Sequence, residues 1–135
     1  MPRVNPVHCV GIVCFRDADV LLIKRANPPL QGEWSIPGGK IKTDETEEAA
    51  DIRELTEETK VLAKLGPKIE CVIARFGNQT YHLHDFVAQW KSGTPIPNDE
   101  VLKCQFIPVN AINSLGMWPK TVEIINKARS IAKVT

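Results

Sequence analysis

The sequence predicts an α/β protein, with a hairpin-rich mixed sheet and helices on its faces. Three observations predict it. Short apolar runs alternate with turn residues from Val7 to Arg25, and again from Ile69 to Val109. Glycine, proline, aspartate and asparagine punctuate those runs where a chain must turn. Two further segments, near Asp44–Thr59 and Pro119–Val134, carry their side chains at helical spacing.

Taken in order, Val7–Arg16 and Val20–Arg25 are apolar runs joined by Asp17-Ala18-Asp19, which reads as a hairpin. Asn27-Pro28-Pro29 breaks into a loop, and Trp34–Pro37 suits a short strand. The first helix starts near Asp44 or Thr46, both suitable N-caps. Ile69–Phe76 and Thr80–Trp90 read as strands around a Gly77-Asn78 hairpin turn. Ser92–Asn98, with Gly93, Pro95 and Pro97, is a loop before a strand at Val101–Val109. Pro119–Val134 is the closing helix, with Val122, Ile125 and Arg129 at helical spacing.

At 135 residues the chain reads as one domain, residues 1–135, large enough to bury a core without staples. No repeat, low-complexity tract or linker is visible. The stretch Met1-Pro2-Arg3-Val4-Asn5-Pro6 leads straight into a strand without the pattern of a signal peptide. No apolar run approaches a membrane span. Cys9, Cys14, Cys71 and Cys104 sit in apolar segments without metal-type spacing, which reads as buried free thiols in a reducing, cytoplasmic setting. The net charge is only +1, yet it is unevenly spread. Eight of the sixteen acids lie between Asp44 and Glu58, where Arg53 is the lone basic residue among the chain's seventeen. The rest of the chain therefore carries eight excess positive charges, which suits a polyanionic ligand as well as an ordinary lysine-rich surface. Aromatics are few and the positives are not clustered, which argues against a nucleic-acid groove. No membrane partner is expected either, and self-association into a homodimer is left open.

The acidic window holds the chemistry. At 100° per residue, Glu47, Asp51, Glu54, Glu57 and Glu58 fall within a wedge of about 120°. Ala49, Ile52, Leu55 and Thr56 take the opposite side, the expected core face. A solvated acidic face is the plain alternative. Against it, Glu57 and Glu58 sit at the helix C-terminal end, where the macrodipole disfavours anions. Such a patch repels itself unless a cation sits on it, and a divalent metal carrying a phosphate is the natural one. The i, i+3, i+4 spacing of Glu54, Glu57 and Glu58 directs all three toward one spot. The preceding Gly38-Gly39 pair leaves room for close backbone approach.

The stretch Gly39–Val61 resembles the Nudix box: Gly39, five residues, Glu45, seven residues, Arg53-Glu54-Leu55, one residue, Glu57-Glu58, one residue, then Lys60 and Val61. Lys60 stands where the family has glycine, the one departure. Leu21–Arg25, Gly32–Gly39, Asp99-Glu100-Val101 and Met117-Trp118-Pro119 extend the resemblance over most of the chain. It implies an α/β/α sandwich and a Mg²⁺- or Mn²⁺-dependent hydrolase of MutT type acting on a nucleotide-type polyphosphate. It assigns metal binding to Glu54, Glu57 and Glu58, assisted by a carbonyl near Gly38, and makes Arg53 the group that orients a catalytic carboxylate. The general base is Glu54 or a downstream carboxylate, with Glu100 first and Asp99 second. Arg25 is a candidate for phosphate, Gly39 for close substrate approach, and Trp34 for shielding the site or stacking on a base. Salt bridging and core packing are the duller roles of Arg25 and Trp34. His82 and His84 read as partly exposed sheet positions, His8 as structural, and Tyr81 as core or substrate wall. Enzymes of this family that clear oxidised purine triphosphates, of the mammalian type, carry an acidic pair after Met-Trp-Pro. Lys120-Thr121 stands there instead, which turns the expectation toward the bacterial ADP-ribose pyrophosphatase-like branch. A nucleoside triphosphate pyrophosphohydrolase is the runner-up, and a non-catalytic nucleotide-sugar sensor is a third reading.

Overall fold

The computed structural model describes residues 5–134; residues 1–4 of the expected lead-in lie outside them. The central strand is β1 (Val7–Arg16), buried on both faces. Its period of two sends Val13 and Phe15 into one apolar cluster and Ile12 and Cys14 into another. A continuous apolar run is what such a doubly covered strand requires. Around it lie β2 (Asp19–Arg25), β3 (Trp34–Ser35), β4 (Gly38–Lys40), β5 (Leu62–Phe76), β6 (Gln79–Ser92) and β7 (Val101–Pro108). The sheet order is β3-β2-β1-β6-β5, with β4 on β1 and β7 on β2. Only β1 and β6 run parallel, from Val7 opposite Tyr81 to Phe15 opposite Gln89, so the sheet is mixed as expected.

Helix α1 (Glu47–Thr59) packs Leu55 onto the Ile12–Cys14 face, and α2 (Pro119–Ala132) packs Ile124, Ile125 and Ala128 onto the Val13–Phe15 face. That makes the α/β/α sandwich. The two sides of the sheet are not equal. After the hairpin, β1 pairs with β2 only at Phe15–Val20 and Arg16–Asp19, and β4 takes its place opposite Cys9, Val10 and Gly11. A cleft lies where β1 and β2 part.

Several boundaries differ from the sequence reading. The strand expected at Ile69–Phe76 begins at Leu62, because a bulge between Leu65 and Lys68 absorbs Gly66-Pro67 within the ladder. Gly38–Lys40 is a strand and Val109–Ser114 a 3-10 helix, both too short to show a period. On α2 the buried positions are Thr121, Ile124, Ile125 and Ala128; Val122 and Arg129 lie at the margin. Cys71 is exposed, against expectation, because β5 is an edge strand whose outer face nothing covers; Cys9 is half-buried, and all four thiols are free. Among the described residues no helix is long and apolar enough to cross a membrane.

The helix ends carry one prediction. Thr46 is the N-cap, its Oγ1 accepting from the Ala49 N–H at 3.1 Å. Lys60 closes the helix at φ 63°, ψ 12°, with its N–H donating to the Thr56 carbonyl. The left-handed conformation costs a side chain about 1 kcal/mol. Lys60→Gly should therefore stabilise the fold by about 0.5–1 kcal/mol and leave turnover unchanged. Urea unfolding of the two proteins checks this, and a loss of stability would mean the lysine makes a contact of its own.

Candidate active site

The buried face of α1 is not the one its apolar residues predict. Asp51, Glu54 and Glu58 are buried beside Ala50, Leu55 and Thr59, while Ala49 is exposed and Ile52 half-buried. The acidic side of the helix is turned onto the protein. For Glu54 and Glu58 it can be, because donors meet their carboxylates there. The Gly38 N–H donates to Glu58 Oε1 at 2.8 Å. The Glu54 carboxyl lies over Gly39, where a Cβ would stand 2.5 Å from its carboxyl carbon. The second glycine is thus explained by Glu54 and needs no ligand to account for it.

Arg53 organises the rest. Its Nε and Nη2 donate to the two oxygens of Glu45 at 2.6 and 2.8 Å, and Nη2 also reaches the Lys40 carbonyl at 3.1 Å. Its Nη1 donates to Glu54 at 2.7 Å and Glu57 at 3.2 Å. A planar guanidinium with five donors can do this; an ammonium cannot. Hydrogen bonding from Arg53 holds the Glu45 carboxyl down to about 2.

Three carboxylates converge. Oxygens of Glu54, Glu58 and Glu100 lie within 4.8 Å of one another. Glu57, expected in this group, stands apart: it is one residue round the helix, more exposed, and spends its carboxylate on Arg53 in an i, i+4 pair. Glu100 arrives from the loop before β7. That loop is tied to the end of α1 by the Ile96 N–H on the Thr59 carbonyl and by Gly93, which at φ 99° sits against the Lys60 carbonyl. Burial, opposed by the Gly38 N–H, pushes Glu58 up to about 8. Burial also raises Glu54 despite its Arg53 partner. Buried carboxylates that resist ionisation alone, with only hard oxygen donors around them, fit Mg²⁺ or Mn²⁺.

The cleft holds about 440 Å³. Glu54, Glu58, Glu100, Gly38 and Gly39 line one end; Phe76, Tyr81, Trp118 and Lys120 line the other. Phe76 stands edge-on to both Trp118 and Tyr81, at 5.3 and 5.8 Å between ring centroids. Arg25 lies on the wall, its Nε held by the Pro29 carbonyl at 2.6 Å. Trp34, expected as a shield or stacking surface, packs against the main apolar cluster instead and is not part of the cleft wall; Trp118 is. Asp99 is likewise absent from the wall, while Tyr81 is on it.

Two buried acids carry no assigned role in the sequence, Asp51 within the acidic wedge and Asp85 outside it. Asp51 is fully buried, and neither oxygen has a partner among the described residues; burial, then Asp85, raises it to about 9. Asp85 is 5% exposed and lines the cleft. A signal for Asp85 existed: it follows Tyr81 and Leu83 and precedes Val87 on one face of β6, the only acid in an otherwise apolar row. His82 is half-buried on the sheet as expected, whereas His84 is buried, and the three histidines gather. His8 and His84 meet at 3.1 Å, His82 stands edge-on to His8, and Lys68 bonds His84 at 2.9 Å. Strand pairing brings them together, since His8 lies opposite His82 in the parallel register.

Comparison with known proteins bears on the family and the fold. The NUDIX domain family model matches residues 6–128. The 8-oxo-(d)GTP phosphatase of Mycolicibacterium smegmatis is 31% identical over 136 residues, covering 91% of this chain and 41% of that protein. The ADP-ribose pyrophosphatase of Methanocaldococcus jannaschii is 39% identical over 61 residues, covering 45% of this chain and 36% of that protein. The chain thus spans only about two-fifths of the length of these relatives. The NUDIX domain of Shewanella oneidensis NrtR, solved with ADP ribose, superposes with a TM-score of 0.84 over 96% of this chain and 90% of that one, at 24% identity. With Gly39, Glu54 and Glu58 of the box on one cleft and the family model spanning nearly the whole sequence, the chain belongs to the Nudix family.

Proposed function

We propose that this protein hydrolyses a phosphoanhydride bond in a nucleoside diphosphate derivative, with ADP-ribose the first candidate. The observation that carries the reading is the convergence of Glu54, Glu58 and Glu100 at one end of a cleft whose other end is aromatic. A divalent ion held by these carboxylates, with Gly38 alongside, would supply charge neutralisation at the phosphates. The chain's own residues do the rest. Arg53 holds Glu54 in place. Arg25 and Lys40, on the cleft wall, face the anionic substrate. The proton of the attacking water goes to Glu100, on whose carboxylate no described donor hydrogen-bonds, or to Glu54. The aromatic end receives the base.

Lys120 and Thr121 stand on the cleft wall where the oxidised-purine hydrolases of mammalian type carry an acidic pair, which supports ADP-ribose over an oxidised purine. The second reading is a nucleoside triphosphate pyrophosphohydrolase. Similarity along nearly the whole chain to an 8-oxo-(d)GTP phosphatase favours it. A Mg²⁺ assay with both substrate classes decides between them. ADP-ribose should yield AMP and ribose 5-phosphate; a triphosphate would yield a monophosphate and pyrophosphate. A tenfold preference in kcat/KM for any triphosphate, about 1.4 kcal/mol in the transition state, would overturn ADP-ribose and keep the hydrolase. Binding with no Mg²⁺-dependent turnover of any substrate would leave a sensor.

A further inference from the structure

One buried acid on the cleft wall has no part in the chemistry above. Asp85 lies on β6 opposite Gly11 of β1, and Gly11 lies opposite Gly38 of β4. Neighbouring strands are about 4.8 Å apart, so Asp85 stands roughly 10 Å from the Gly38 row where the acidic end begins. Its carboxyl occupies the space over Gly11, which a side chain there would fill. Burial raises it to about 7, with Glu70 adding to the rise and Lys68 opposing it; no hydrogen bond from the protein contributes. Its oxygens are not among the sealed, unpartnered atoms of the interior, so they open on the cleft.

A buried carboxyl without a donor is costly to keep. Among the described residues the Lys68 charge opposes that cost and no hydrogen bond does. A ligand can supply one. The ligand group must bring N–H or O–H donors and no negative charge, since a carboxylate facing a phosphate would repel it. Around Asp85 the cleft wall is Leu83, two residues along the same face of β6, the bare backbone of Gly11 opposite, and Ile36 reaching over Gly11, a narrow apolar surround that suits the edge of a flat ring better than a hydroxyl-rich sugar. Distance and chemistry agree: the phosphates belong at the glutamates and a base edge belongs at Asp85.

We propose that Asp85 is the base-reading residue of this cleft, its carboxylate accepting a hydrogen bond from an exocyclic amino group, so that amino-bearing bases are preferred to their oxo or des-amino counterparts. The inference rests on the reading that a nucleotide occupies the cleft. It adds which feature of the base is recognised, and where. A carboxylate is acceptor-only. It rewards an amino group and leaves an oxo group facing it unpaired, and a site built on such a bond discriminates strongly.

The test reads binding and does not need turnover. Calorimetry at pH 8.5 with Mg²⁺ compares AMP with IMP, GMP with IMP, and CMP with UMP. At least one amino-bearing monophosphate should bind tenfold or more tightly than its partner, and the pair that does so identifies the base. Asp85→Val, a β-branched residue in an apolar row of a strand, should bring that ratio within about twofold. Asp85→Asn should also shrink it, because an amide can flip and donate to the oxo group; it keeps the test decisive if the valine variant does not fold. Equal affinities within every pair, no monophosphate binding at all, or a ratio that survives both substitutions would overturn the proposal. A loss of affinity for 2′-deoxy analogues with equal amino and oxo affinities would assign Asp85 to the sugar and overturn it too. Failure of every hydrolysis assay would instead sink the proposed activity and leave this measurement standing.

Discussion

Glu58→Gln is expected to reduce Mg²⁺-dependent turnover by about 10²–10⁴, the range for losing a key acid–base or metal-positioning group, while making the metal-free protein more stable. The two effects have one cause. Glutamine keeps an oxygen to accept the Gly38 N–H, so the local geometry survives. What is lost is the charge. In the folded protein the carboxyl is raised to about 8 from the ordinary 4.5, chiefly by burial. An acid raised on folding contributes stability that is intact below its unfolded pKa and drains away as pH rises through the folded value. Metal-free wild type should therefore lose stability between about pH 4.5 and pH 8, and the variant should show a flatter profile, melting a few degrees higher, by about 2–4 °C per kcal/mol for a domain near this size, at pH 8. Thermal melts in EDTA at pH 5 and pH 8, set beside a Mg²⁺ titration of rate, measure both. Turnover within a few-fold of wild type together with a lower melting point would make Glu58 a structural residue. Glu57→Gln is the internal comparison. Because Glu57 lies on Arg53 and outside the converging group, its effect should be smaller than that of Glu58→Gln.

Arg53→Lys should lower kcat by roughly 10²-fold with KM nearly unchanged, the signature of an interaction that matters in the transition state more than in binding. The charge is retained; the fork is not. An ammonium cannot hold both oxygens of Glu45 while also bonding Glu54, Glu57 and the Lys40 carbonyl. Glu54 then loses its fixed partner while remaining buried, and a misplaced reacting group is costly to rate. Steady-state kinetics separate the possibilities. A rise in KM alone would make Arg53 a substrate-binding residue, and an equal loss in unfolding free energy and in rate would make it a structural one.

Much of the site was legible in the sequence because its signals are local. Gly39, Glu45, Arg53, Glu54 and Glu58 all lie within one turn-and-helix segment, where spacing alone fixes which side chains share a face. Lys60 was legible for the same reason: helix termination is decided within a few residues, and the left-handed cap is what the family glycine predicts of whatever replaces it. The sheet class was legible because alternation and turn residues are properties of short windows.

The remainder depended on which elements meet. Helical periodicity assigned Ala49, Ile52 and Thr56 to the core, since a window of sequence weighs apolar against polar and knows nothing of donors elsewhere. The fold brought the Gly38 N–H and the Arg53 guanidinium to the acidic side and buried that side instead. Glu57 has the right spacing for the cluster, yet a neighbour one turn away claims it. Glu100 joins the cluster only because the loop after β6 is tied to the helix end, a contact between residues nearly forty positions apart. Trp34 and Trp118 could not be told apart as cleft residues in sequence, because packing decides which aromatic faces a cavity. Asp85 became a candidate only when the parallel pairing of β1 and β6 set it over Gly11. By itself the sequence determined the class of fold, the family and the helix on which the acidic cluster sits. The tertiary structure decided which carboxylates converge and which ones are buried, since both depend on long-range pairing and on the donors that offset the cost of burying charge.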